Sequence, residues 1–345
     1  MTDQFVAPSE LREFLVRSNL LSATQASTWT PLTGGVSSDI WKVETPERVL
    51  CIKRALAKLK VAADWEAPVS RNAAEWEWLN YAAAQVPQAV PKPLAHDPDA
   101  GLFAMEFLAA DQHPVWKQQL LDGQIEPSVA RELGAVIGRL HHTSRHSADL
   151  AQRFATDETF EALRLDGYLK ATAIRHPQLA SRLLALAERT GSTHTALVHG
   201  DVSPKNILVG PNGPVLLDAE CAWYGDPAFD VAFLLNHLLL KCLVNPHLTE
   251  GYLHSYRQFA LAYFDATTPE DRAAIEARAA TLLTALLLAR VDGKSPVEYL
   301  RTEAPKALIR AFATRLILNP CFKLTDIAEQ WQDVIASATT LAPQQ

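Results

Sequence analysis

The stretch that decides how this chain is read is His199-Gly200-Asp201-Val202-Ser203-Pro204-Lys205-Asn206, followed by Ile207-Leu208-Val209-Gly210, Pro211-Asn212-Gly213-Pro214 and Val215-Leu216-Leu217-Asp218. An Asn-Gly dipeptide between two apolar runs is the strongest short-range hairpin signal. A hairpin over Ile207–Leu217 carries the chain out and back, so Asp218 returns beside Asn206. Asp201 sits five residues before Asn206 on the same short loop. The spacing gathers two carboxylates and a carboxamide at one end of a hairpin. Oxygen donors of this kind suit magnesium, a hard cation. The bland alternative is a turn in which Asp201 only caps the backbone.

Upstream of the hairpin the pattern is short and β-prone. Ile40–Glu44 and Val49–Lys53 read as strands separated by a Pro-containing turn, after Gly34-Gly35-Val36-Ser37-Ser38. Ser9–Leu21 reads as a leading amphipathic helix with Ser9 as N-cap, and Arg71–Gln85 as a helix closed by Val86-Pro87. A strand pair is expected over 91–96 and 102–107. From Leu108 onward helical periodicity takes over. Val129, Leu133, Val136, Ile137 and Leu140 share one helix face. Phe160–Leu169, Ala180–Arg189, Phe229–Lys241, Leu253–Phe264 and Pro269–Arg290 also read as helices. The expectation is an α+β chain with two lobes, a small strand-rich one over residues 1–107 and a large helical one over 108–345. A cleft between lobes is where ligands commonly sit.

Composition narrows the function. A net charge of −7 argues against a nucleic-acid partner, which needs a positive face. Cys51, Cys221, Cys242 and Cys321 have no Cys-x-x-Cys spacing, so neither a zinc site nor a disulfide framework is expected. The reading is a reducing, cytoplasmic setting. Met1–Glu10 lacks the basic-then-apolar order of a signal peptide. Asp230, Asn236 and His237 interrupt the apolar stretch Ala228–Leu243, and Ala279–Ala289 is about half the length a bilayer needs, so no membrane partner is expected.

Phosphoryl transfer needs a carboxylate to orient the attacking hydroxyl and metal ligands to neutralise charge between the phosphates. His199-Gly200-Asp201 with Asn206 at its offset, then Asp218, resembles the aminoglycoside phosphotransferase and choline kinase superfamily, a branch of the protein-kinase-like fold. The likeness covers roughly residues 28 to 300. It implies ATP and magnesium (Mg2+) as cofactors, Asp201 as catalytic base, and Asn206 and Asp218 as metal ligands. Gly34, Gly35, Ser37 and Ser38 match the loop whose backbone approaches phosphates, and Lys53 matches the strand lysine that pairs them. Its expected helix partner is Glu75 rather than Glu77, since Glu75 and Leu79 fit a Glu-x-x-x-Leu helix. Met105-Glu106-Phe107-Leu108 resembles the inter-lobe hinge that holds adenine. His199 and Asp230 are read as structural support, as is His141. Trp76 and Trp78 are read as helix packing.

The acceptor is less legible. Asp218-Ala219-Glu220-Cys221-Ala222-Trp223-Tyr224-Gly225 and Arg290-Val291-Asp292-Gly293 resemble segments of methylthioribose kinases, while Val202-Ser203-Pro204-Lys205 departs from theirs. The resemblance makes Glu220, Trp223, Tyr224 and Arg290 candidate substrate residues and points to a sugar-like small-molecule acceptor. Two alternatives stay open. One is an aminoglycoside or amino-alcohol acceptor held by Glu220 and Asp226. The other is a kinase-like ATP-binding protein without transfer activity. A homodimer is left open as a partner.

Overall fold

The computed structural model describes residues 9–32, 38–56 and 71–341. Gly34, Gly35 and Ser37 lie outside the described residues. Five strands form one antiparallel sheet in the order β1-β2-β3-β5-β4. They are β1 (Thr28–Leu32), β2 (Ser38–Glu44), β3 (Val49–Ala55), β4 (Pro93–Asp97) and β5 (Leu102–Glu106). Strand alternation decides what each face meets. Leu50 and Ile52 of β3 are fully buried against Leu11, Phe14 and Leu15 of α1 (Ser9–Arg17). Cys51 and Lys53 point the opposite way, and Lys53 is paired across the sheet with Phe103. Phe103 belongs instead to the core shared with Trp78, Leu79 and Ala82 of α2 (Arg71–Gln85). The sheet is thus layered between α1 and α2, with Lys53 on the α2 side.

The remainder is mostly helical. Pro127–Ser144 begins with proline in its first turn, where a missing N–H costs nothing, and buries Val129, Leu133, Ile137 and Leu140 on one face. The helix Ala228–Cys242 is buried at every position, charged ones included, and is packed by the helices Thr249–Asp265 and Pro269–Asp292. Two short ladders are set among the helices. One pairs β6 (Ala196–Val198) with β9 (Trp223–Gly225), the other β7 (Ile207–Gly210) with β8 (Gly213–Leu216).

The hairpin forms with Pro211-Asn212 as its loop, so the left-handed residue is Gly213 (φ 109°) and not Asn212. The leading helix stops at Arg17, four residues before the expected Leu21. Helices Glu303–Leu318 and Leu324–Leu341, which were not among the helices expected from the sequence, close over the large lobe through Ile309, Phe312, Ile327 and Trp331. The segment read as an ordinary helix over 160–169 winds as a π-helix over Glu161–Lys170.

Candidate active site

Strand β6 delivers the chain into His199-Gly200-Asp201. Gly200 adopts φ 78°, and a Cβ there would lie 2.4 Å from the Cys221 carbonyl oxygen, so no other residue fits. The fully buried Asp230, in the first turn of Ala228–Cys242, accepts the backbone N–H groups of His199 at 2.8 Å and Gly200 at 2.9 Å. Its Oδ2 also meets His141 Nε2 at 3.1 Å. The His199 ring is pinned at both nitrogens. Nδ1 accepts the Asp201 N–H at 3.2 Å, and Nε2 donates to the Leu217 carbonyl at 3.1 Å. Those two bonds require the neutral ring with its proton on Nε2, and burial lowers the His199 pKa in the same sense. Trp78 of α2 stands edge-on to this ring at 4.7 Å, coupling α2 to the loop.

The Asp201 carboxylate is buried between two cations. Arg164 Nη2 and Lys205 Nζ lie 3.1 and 3.2 Å from its Oδ2. Burial pushes this carboxyl up, but Lys205 and then Arg164 outweigh it and hold Asp201 well below the usual carboxylate range. Arg164 comes from the π-helix and also donates Nε to the Gly200 carbonyl. π-turns inside helices recur at functional sites. Here the wider turn belongs to the segment that brings a guanidinium against Asp201.

Asn206 donates its amide to the Asp201 carbonyl at 3.1 Å, and its own carbonyl accepts Leu217 N–H at 2.9 Å. That second bond returns Asp218 beside Asn206. Asp218 sits at φ 67°, a left-handed conformation uncommon for aspartate. Its Oδ1 forms an ion pair with Lys53, whose ammonium also lies 2.7 Å from Glu75 Oε2. Burial opposes charge on Lys53, but Asp218 and Glu75 outweigh it and keep the ammonium protonated. Glu77 pairs instead with Arg153.

The other candidates divide. Ser38 is buried at the start of β2, and Glu106 ends β5 exposed, with half-buried Phe107 and Leu108 following it. Arg290 lines one cavity with Asp201. Glu220 accepts Arg71 Nε at 3.1 Å. Trp223 and Tyr224 do not line the Asp201 cavity. Trp223 stacks on Phe160 at 4.2 Å and donates its indole N–H to Asp157, and the Tyr224 hydroxyl donates to the Thr195 carbonyl. Both are side chains of the interior. Asp226, weighed in one alternative as a partner for an ammonium group, binds Arg278 Nε at 2.9 Å and accepts Ala228 N–H at 3.0 Å. The cavity also contains Lys241, His237 and Tyr299, none of which the sequence reading proposed as a site residue.

The model of the phosphotransferase enzyme family matches residues 28–265, more than half the chain, and that interval holds Lys53, Glu75, Asp201, Asn206, Asp218 and Asp230. The chain belongs to this family. Two curated relatives are methylthioribose kinases. The one from Bacillus cereus (strain AH820) is 24% identical over 254 residues, 66% of this chain and 64% of its own. The one from Enterobacter sp. (strain 638) is 26% identical over 226 residues, 58% of this chain and 56% of its own. The chain thus spans less than two thirds of their length. An amicoumacin kinase solved with AMP-PNP, Ca2+ and Ami superposes at TM-score 0.56 with 16% identity, covering 94% of this chain and 100% of its own. A choline/ethanolamine kinase family protein from Mesorhizobium loti superposes at TM-score 0.51 with 16% identity, covering 94% and 99%. The sheet followed by a helical lobe is therefore the kinase-like fold of this phosphotransferase family.

Proposed function

We propose that this member of the phosphotransferase family is an ATP- and magnesium-dependent kinase of a small, polar, sugar-like acceptor. The observation that carries the reading is the ionised Asp201 carboxylate on the wall of a cavity of about 150 Å³, with Asn206 and the Lys53–Asp218–Glu75 cluster close behind its loop. In the transfer, the acceptor oxygen bonds to the γ-phosphorus while the bond from that phosphorus to the ADP oxygen breaks. The hydroxyl proton passes to Asp201 and then to solvent. A carboxyl held so low is a weak base, so Asp201 aligns the hydroxyl first and takes the proton late, as suits a loose transition state.

Lys53 is the group for the nucleotide phosphates, with Gly34, Gly35, Ser37 and Ser38 as the backbone cradle and Glu106–Leu108 as the adenine hinge between lobes 1–107 and 108–345. Asn206 and Asp218 would hold magnesium. Asn206 commits its N–H to Asp201, which leaves Oδ1 as the ligand atom. Among the described residues no group of three His, Cys, Asp or Glu side chains could hold a metal, so phosphate and water oxygens would complete the shell, as magnesium prefers. When bound, the ion neutralises charge building between the phosphates. The four unpaired thiols fit a cytoplasmic setting.

The test is a product screen with ATP and magnesium against sugars, hydroxy acids and amino alcohols, read by mass spectrometry. An acceptor whose phosphorylation needs ATP is the expected result. ATP binding with no phosphorylated product across the panel would favour a binding protein without transfer.

A further inference from the structure

The cavity beside Asp201 carries more buried polar groups than the fold can satisfy. Lys241, in the last turn of Ala228–Cys242, is fully buried, and its ammonium has no hydrogen-bond partner. It rests 3.8 Å from the centroid of the Tyr299 ring. One turn earlier, His237 is buried with Nε2 unpartnered. Tyr299 hydroxyl, Arg290 Nε and Ser203 Oγ on the same wall are likewise without partners. Native proteins leave few buried polar atoms unpaired, and a cluster of them at one cavity marks groups reserved for something that enters it.

Charge says what enters. Lys117 pairs with Glu298 and Lys205 with Asp201, the two carboxylates of the wall. Lys241 and Arg290 remain, and among the described residues neither has a carboxylate partner. Arg290 Nη1 is steadied by the Tyr168 hydroxyl at 3.1 Å and by Ser295. Burial pushes Lys241 down to about 7, with Lys117 adding to the effect and Glu298 opposing it. A cationic acceptor would meet Arg290 and, wherever Lys241 is protonated, a second uncompensated cation, and the acids that might have received it, Glu220 and Asp226, are engaged by Arg71 and Arg278.

We propose that the acceptor is a small hydroxy compound bearing an anionic group, which Lys241 and Arg290 bind with Tyr299 and His237 while its hydroxyl reaches Asp201. This deepens the kinase reading and rests on it. Arg290, Ser295 and Tyr299 lie beyond the residues that match the family model, 28–265, so that part of the wall comes from outside the matched interval, while Lys241 and His237 lie inside it. The volume of about 150 Å³ equals that of a cavity known to admit benzene, which sets the scale at a handful of heavy atoms.

The experiment uses the full chain and four probes on one three-carbon diol skeleton: glycerol, aminopropanediol, glycerate and glycerol phosphate. Binding is read by calorimetry and transfer by ADP release with ATP and magnesium. The expected result is that one or both anionic probes bind at least roughly tenfold tighter than glycerol, through charge-assisted hydrogen bonds, with the aminodiol weakest. Whichever anion binds better identifies carboxylate or phosphate as the group. Lys241→Met should erase the preference and leave nucleotide affinity intact. Tyr299→Phe should reduce it severalfold, and keeps the test open if the first variant does not fold. Equal affinity for glycerol, preference for the aminodiol, no measurable binding of either anion, or a preference surviving both variants overturns the proposal. Failure of the kinase reading looks different: the anion preference persists in calorimetry while no probe is phosphorylated.

Discussion

The loop that presents Asp201 and the cavity wall it faces are made of the same kinds of buried polar residue, treated in opposite ways. Around the loop, Asp230 uses both oxygens, His199 both ring nitrogens, and His141 bonds Asp230 and Tyr263. Across the cavity, Lys241, His237 and Tyr299 keep donors or acceptors that nothing in the described protein meets. A satisfied network fixes one shape, and an unsatisfied one stores stability loss that only a ligand recovers. The same helix, Ala228–Cys242, serves both regions, with Asp230 at its start and Lys241 near its end. Substitutions in the two regions should therefore fail in different ways.

The largest effect is expected at the junction. If Asp201 is the base proposed above, Asp201→Asn keeps the shape but loses the charge that aligns the hydroxyl and takes its proton, so kcat should fall by about 10²–10⁴. Affinity for ATP with magnesium should stay close to that of the wild type. Transfer within tenfold of wild type would remove Asp201 from the chemistry.

Next comes the satisfied network. Asp230→Ala strands two buried backbone N–H groups and His141, at about 1–3 kcal/mol for each unpaired group, a large part of the roughly 5–15 kcal/mol that holds a domain folded. Denaturant unfolding should show the loss directly. An unchanged midpoint would mean the loop keeps its shape without Asp230.

The unsatisfied wall should respond in the opposite direction. Lys241 is pushed from 10.5 to about 7 by burial, so between those pH values the unfolded chain binds more protons than the folded one. Wild-type stability should rise with pH across that window, and the penalty should be complete below about 7. Lys241→Met removes it. The variant should melt above wild type at neutral and acidic pH, with the advantage shrinking toward pH 10.5. An advantage that is the same at all pH, or a lower melting temperature throughout, would show that Lys241 supports the fold and not a ligand.

This contrast also separates what the sequence disclosed from what it concealed. Asp201, Asn206 and Asp218 were legible because a hairpin is local, and local spacing fixes who returns beside whom. Glu75 could be preferred to Glu77 because Glu75 and Leu79 fit the Glu-x-x-x-Leu helix that the family resemblance implies, and Glu75 is the one that reaches Lys53. Arg164 was not legible, since its approach to Asp201 depends on a π-helix that leaves no mark in hydrophobic spacing. The cavity wall joins residues far apart in the chain, from Lys117 to Tyr299, and only the fold brings them together. One signal was available. His237 and Lys241, four residues apart on a helix with no polar face, are costly places for such side chains; His237 was read only as a bar to membrane insertion and Lys241 was not read at all. Trp223 and Tyr224 misled because aromatic residues next to a motif serve the core as readily as a ligand.

The smallest effect is expected at Arg290, and it decides which side of the contrast this residue belongs to. It ends the helix Pro269–Asp292, where a positive charge complements the helix dipole for about 0.3–1 kcal/mol. It also lines the cavity, and its Nη1 is already engaged by Tyr168 and Ser295 while Nε is unpartnered. Arg290→Lys keeps the end charge and removes the planar fork. If the dipole is its whole role, melting temperature and kinetics should both stay at wild-type values. If the fork holds the acceptor, melting temperature and nucleotide affinity should hold while acceptor KM rises about tenfold, the cost of roughly one charge-assisted hydrogen bond. A rise in KM for glycerol as large as that for the anionic probes would place the fork on the hydroxyl skeleton. A rise confined to the anionic probes would place it on the charge.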